Sequence, residues 1–167
     1  AQARTMHGLQ FWVALPDESE DCDPSFQHYE KSVIPSFEDG DKSICVIAGE
    51  AFGLKSPVKT TSPLIFAEIK TKNDFDLNLK IDGFELAVYV IEGSAQIQNQ
   101  TLSQTQMIVF ETNSAAQAQI KAGSHVVVIG GKAFPNQKFI WWNLVSSSKE
   151  KIEKAKKEWA NGTFPMV

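Results

Sequence analysis

The chain has 167 residues, 43% of them hydrophobic, which suits one domain with a proper core. Its 16 Lys and Arg against 20 Asp and Glu give a net charge of −4, which argues against direct contact with nucleic acid. No run approaches the ~18 consecutive apolar residues of a membrane span and no signal-peptide pattern opens the chain, so a cytoplasmic protein with no membrane contact is expected.

"HGLQFWVALP", residues 7–16, reads as a strand with Leu9, Phe11, Val13 and Leu15 on one face. Trp12 then falls on the face that should be solvated, so this strand needs a second packing partner. "DESEDCD", 17–23, reads as a solvated acidic loop, and the Lys-rich 149–157 as a solvated helix face. Cys22 and Cys45 show no C-x-x-C pairing and are expected to be reduced, with acidic neighbours making Cys22 a poor thiolate. "SFQHYEKSVIPSFE", 25–38, is interrupted by Pro35. Strands follow at 42–50 and at 63–72, where Ile65, Ala67 and Ile69 share a face. In 75–81, Phe75, Leu77, Leu79 and Ile81 point in. The run 84–98 breaks at Glu92-Gly93, which reads as a hairpin. "TQMIVFE", "AQAQIKAG", "HVVVIGG" and "FIWWNLV" come next at short intervals. So many short strands between turns predict an all-β sandwich, jelly roll or barrel.

On a single strand Trp141 and Trp142 point to opposite faces, one into the core and one over a seam or pocket, where a ring could stack on a ligand. One helix closes the chain. Ser147 and Glu150 have capping-box spacing, Ile152, Ala155 and Trp159 form a narrow apolar stripe, and Gly162 suits the left-handed C-terminal position. So narrow a stripe predicts a helix lying on the surface of the β domain, anchored by Trp159.

The chemistry is sparse. His7, His28 and His125 are the only histidines, and none has the spacing of a metal pair. There is no G-x-S-x-G elbow, and "VIGGK" at 128–132 is not a phosphate loop. No catalytic or metal residue is assigned. The candidates for an interface or groove are Phe11, Trp12, Trp141, Trp142 and Trp159.

"RTMHGLQFWVALP", "VIAGEAFGLKSPVKT" at 46–60, "YVIEGSAQI" at 89–97 and "FIWWNLVSSSKEKIEKAKKEW" at 139–159 together resemble, in order and over nearly the whole chain, the C-terminal half of a pirin. Pirins belong to the cupin superfamily. The resemblance implies a cupin jelly roll with an extended N-terminal strand and one C-terminal α-helix. Residues 1–16 would be an interdomain strand left from an N-terminal cupin, 17–146 the C-terminal cupin, and 147–162 a surface helix. In the family the N-terminal cupin holds a metal, typically iron, through H-x-H, a further His and a Glu. The matching stretch here, "IDGFELAVYVIEG", has Asp82 and Phe84 and no histidine, and 104–114 supplies none. The family's metal residues therefore carry over to no position of this chain. No cofactor is expected in it, and iron only in the missing N-terminal cupin. A start without Met fits a truncated polypeptide.

Family members are associated with quercetin 2,3-dioxygenase activity and with transcriptional co-regulation through protein contacts. The resemblance thus implies a metal-free packing domain, inactive alone, whose partner is the N-terminal cupin or a second copy of the chain. One alternative is a protein-interaction module using the Trp12 face and the C-terminal helix. Another is a stand-alone small-molecule cupin with Tyr89 in its barrel.

Overall fold

A computed structural model describes residues 8–164. The chain divides into two compact units, one of Asp23–Ala133 and one drawn from both chain ends, described over 8–22 and 134–164. Residues 17–22 and 134–146 group with the termini.

The first unit is a jelly roll built from period-2 sequences. Its strands are β1 (Ser36–Glu38), β2 (Lys42–Ala48), β3 (Glu50–Ala51), β4 (Leu54–Lys55), β5 (Leu64–Thr71) and β6 (Phe75–Leu79). Then come β7 (Phe84–Glu92), β8 (Ser94–Ile97), β9 (Gln100–Ser103), β10 (Met107–Val109), β11 (Ala116–Ile120) and β12 (His125–Lys132). They form a six-stranded sheet, β1-β2-β5-β12-β7-β10, a four-stranded sheet, β6-β11-β8-β9, and the small β3-β4 pair. The ladders are antiparallel. Inward positions of both main sheets are aliphatic: Ile65, Ala67 and Ile69 of β5, Leu77 and Leu79 of β6, Leu86, Val88 and Val90 of β7, Val126 and Val128 of β12. Burying each such branched side chain stabilises the fold by roughly 1.5–3 kcal/mol before its conformational entropy is subtracted.

The expected hairpin at Glu92-Gly93 is not one. β7 lies between β12 and β10, whereas β8 lies between β11 and β9, so the chain changes sheets at Gly93. Gly93 has φ +77°, and a Cβ there would lie 2.2 Å from the Ser124 hydroxyl. That hydroxyl accepts from the Ser94 N–H at 2.9 Å and donates to the Ser94 carbonyl at 3.0 Å, pinning the corner.

The terminal unit holds a 3-10 turn (Asp17–Ser19), β13 (Phe139–Trp141), β14 (Leu144–Ser146) and α1 (Lys149–Ala160). The predicted strand at 7–16 does not form over its described residues 8–16. A strand needs a neighbour to take its alternating N–H and C=O groups, and among the described residues no ladder reaches this segment. His7 lies outside the described residues. The helix is capped by Ser148 rather than Ser147, with the Ser148 hydroxyl accepting from the Lys151 N–H at 3.3 Å. Its far end is a Schellman motif: Gly162, at φ +70°, donates to Trp159, and Thr163 donates to Glu158. Its buried residue is Ile152, 7% exposed, while Trp159 is 46% exposed. Ile152 is therefore the anchor of α1, which packs on β13 and β14. No helix among the described residues is long and apolar enough to cross a membrane.

Candidate functional site

A jelly roll of this kind would carry its chemistry inside the barrel. Here the inward positions of β5, β7 and β12 are aliphatic apart from Thr71 and Phe84, and none is His, Cys, Asp or Glu. Tyr89 alternates with Val88 and Val90 and so faces outward. His125 pairs with Glu68 at 2.7 Å, and Lys70 reaches the same carboxylate at 3.0 Å. Burial pushes the Glu68 carboxyl up, but Lys70 and His125 outweigh it and hold it below its ordinary value. His125, which opens the interior strand β12, is a satisfied histidine. His28 is exposed beside Glu30. The two cysteines are unpaired, and burial pushes the Cys45 thiol up. Among the described residues no group of His, Cys, Asp and Glu gathers to hold a metal. The donor set of this barrel does not fit an iron site.

The terminal unit presents aromatic rings instead. β13 and β14 pair with Trp141 opposite Leu144, leaving a two-residue turn of Trp142 and Asn143. The two tryptophans therefore do not sit on one strand with one ring in the core. Trp142 occupies the turn at φ +51°, a left-handed conformation that glycine or asparagine ordinarily takes. Trp142 is 59% exposed and Trp141 39%. Their rings meet edge to face at 6.3 Å, Trp142 meets Trp159 at 5.0 Å, and Trp159 meets Phe164 at 5.8 Å. The Lys156 ammonium lies 5.3 Å from the Trp141 ring. Ile140 and Val145 of the same hairpin are exposed too. Of the five candidates, Trp141, Trp142 and Trp159 thus come together. Trp12 is 57% exposed in the same unit, and Phe11 is half-buried.

The acidic segment is not simply a solvated loop. The Glu20 side chain is 7% exposed and accepts from Lys138 at 2.6 Å, from the Ser146 hydroxyl at 2.9 Å, and from the Ser147 N–H and hydroxyl at 2.7 and 3.1 Å. Lys138 also reaches Asp17 at 2.5 Å, Asn136 joins Asp17, and Lys151 pairs with Asp21. Burial raises the Glu20 carboxyl, yet the hydrogen bonds from Lys138, Ser146 and Ser147 leave it below its ordinary value. Asp17 is held low by Lys138 and Asn136. Sequence reasoning passed over this hub. Its signal was the complementary charge of an acidic N-terminal stretch and Lys138 and Lys151 near the other end.

Residues 66–165 match the family described as the Pirin C-terminal cupin domain. A pirin-like protein of Caulobacter vibrioides is 39% identical over 162 residues, covering 96% of this chain and 56% of the relative. Human pirin is 27% identical over 156 residues, 89% of this chain and 54% of that protein. A crystal structure described as quercetin 2,3-dioxygenase from Acinetobacter baumannii superposes with a TM-score of 0.82 at 28% identity, covering 93% of this chain and 53% of that one. The chain spans about half the length of the curated relatives it matches.

Proposed function

Since the chain belongs to the pirin family and carries its C-terminal cupin domain, we propose that it serves as the packing half of a longer, quercetin 2,3-dioxygenase-like protein. The observation that carries this reading is the aliphatic barrel interior, which offers no inward donor for iron. Chemistry would then belong to a metal-bearing cupin in the other half of such a protein. The relatives are about twice as long as this chain, which leaves room for that half. The exposed rings of Trp12, Trp141, Trp142 and Trp159 would supply the surface that packs against it.

The test is direct. Quercetin consumption is followed with this chain alone, with and without added ferrous iron, and none is expected. Consumption that depends on the iron overturns the reading. In parallel, the product of the full gene is weighed and its iron measured. A mass well above 18.5 kDa with bound iron supports the reading. A product of that mass without iron puts a second reading in its place.

That second reading is an interaction module, in which the same aromatic face meets a partner protein. The strained, exposed Trp142 favours it, because backbone strain at a surface aromatic persists where the side chain is used. Under this reading Trp12→Asp abolishes a complex that otherwise survives gel filtration, and a complex that survives the substitution removes Trp12 from the surface.

A further inference from the structure

The Glu20 hub has the build of a binding site whose ligand is already seated. The receptor side comes from the later part of the chain: Asn136 and Lys138, then Ser146 and Ser147 where β14 gives way to α1, then Lys151. Ser146, 5% exposed, and Lys138, whose side chain is 12% exposed, form its floor. The ligand side is the acidic run Asp17-Glu18-Ser19-Glu20-Asp21. A 3-10 turn has about three residues per turn, so Asp17 and Glu20 fall on one side and both reach Lys138. No apolar side chain from Asp17 to His28 is buried, and Asp21 to His28 are exposed without a break. Polar bonds rather than buried apolar area therefore hold residues 17–21 in the socket, and a segment held that way opens at low cost.

We propose that the socket of Asn136, Lys138, Ser146, Ser147 and Lys151 docks acidic segments of other proteins, and that residues 17–21 occupy it as a tethered, displaceable ligand. The seated side chains define the chemistry it reads, an Asp-x-x-Glu-Asp spacing. The central Glu takes four hydrogen bonds, one of them from an ammonium, and each Asp meets a lysine of its own side of the socket. The charges are complementary: residues 134–164 carry six Lys against three Glu, and the resident run carries four acids. The tether gives that run an effective concentration of about millimolar. A second copy of the chain offers the same run without the tether and loses to it, whereas a partner with a denser acidic segment can displace it.

The experiment titrates the 167-residue chain and its variants into a fluorescein-labelled peptide of residues 14–22 carrying Cys22→Ser, and reads anisotropy. The parent should bind weakly, because its socket is filled. Glu20→Ala weakens the resident ligand and should bind the peptide about tenfold more tightly or better. Adding Lys138→Ala should abolish that gain, and a peptide carrying Glu20→Gln should not show it. Should Glu20→Ala loosen the terminal unit, as tryptophan emission would reveal, the Asp17→Asn/Asp21→Asn variant, which keeps Glu20, takes its place and should show the same gain. Equal affinity for the parent and the weakened variants overturns the proposal, and so does a gain that survives Lys138→Ala. Dimers of the parent at the concentrations of the titration, lost on Glu20→Ala, overturn it in favour of a second copy as the occupant.

Discussion

Glu20 gathers four hydrogen bonds onto one nearly buried carboxylate. Its carboxyl ionises below the ordinary 4.5 in the folded chain. Above that value both folded and unfolded chains carry the charge, and the whole contribution to stability is present. As the pH falls below it, the unfolded chain takes up its proton first, and the contribution is lost through the folded value. Glu20→Gln should therefore lower the melting temperature at neutral pH and lower it less in acid, as read by thermal scans across pH. An equal deficit at every pH would contradict this. Trp142 makes a second case. Its left-handed backbone costs roughly 1–3 kcal/mol, and its edge contact with Trp159 returns about 0.5–1.5 kcal/mol. Trp142→Asn should leave folding stability within about 1 kcal/mol of the parent in urea titrations, while removing the ring from any partner surface.

The element scale shows where local patterns suffice and where they do not. The alternation in β5 and β6 was readable because period 2 and burial agree residue by residue. The start of α1 was not. The run Ser146-Ser147-Ser148 offers two cap positions, and Glu20 takes the hydroxyls of Ser146 and Ser147, leaving Ser148 for the helix. That competitor sits more than a hundred residues away, beyond any local signal. Ser148→Ala should accordingly cost about 1 kcal/mol, the usual value of a lost cap, in chemical denaturation. Gly93 misled for a related reason. A glycine at φ +77° fits a hairpin turn and a change of sheet equally well, and only the partners of β8 decide. Gly93→Ala combines backbone strain with a clash at Ser124 and should cost about 2–4 kcal/mol, measured the same way.

At the scale of the molecule, the four tryptophans, Trp12, Trp141, Trp142 and Trp159, fall in the terminal unit, whereas the long ladders fall in Asp23–Ala133. Tryptophan fluorescence therefore reports one unit and the β-sheet circular dichroism the other. Their unfolding curves should not coincide, and Glu20→Gln should move the fluorescence midpoint while leaving the dichroism midpoint in place. A single shared transition would show the two units to be one cooperative block. The jelly-roll class was legible because so many short amphipathic strands between turns restrict the architectures available. The division into units was not, because it rests on side chains that pair across the length of the chain. The aromatic candidates were half legible. The sequence marked Trp141, Trp142 and Trp159, but a turn rather than a strand brings their rings together.

The Glu20 hub also fixes an order of events during synthesis. Its partners Lys138, Ser146 and Ser147 lie 118 to 127 residues downstream. During synthesis every strand of the jelly roll is added to the chain before the first of those partners exists. The jelly roll is complete in sequence first, and the terminal unit can close only once Lys138, Ser146 and Ser147 have left the ribosomal tunnel. Until then the nascent chain holds an unpaired carboxylate at one end and bare tryptophans at the other. That interval is when chaperones, or a second copy of the same chain, have their best opportunity to capture it.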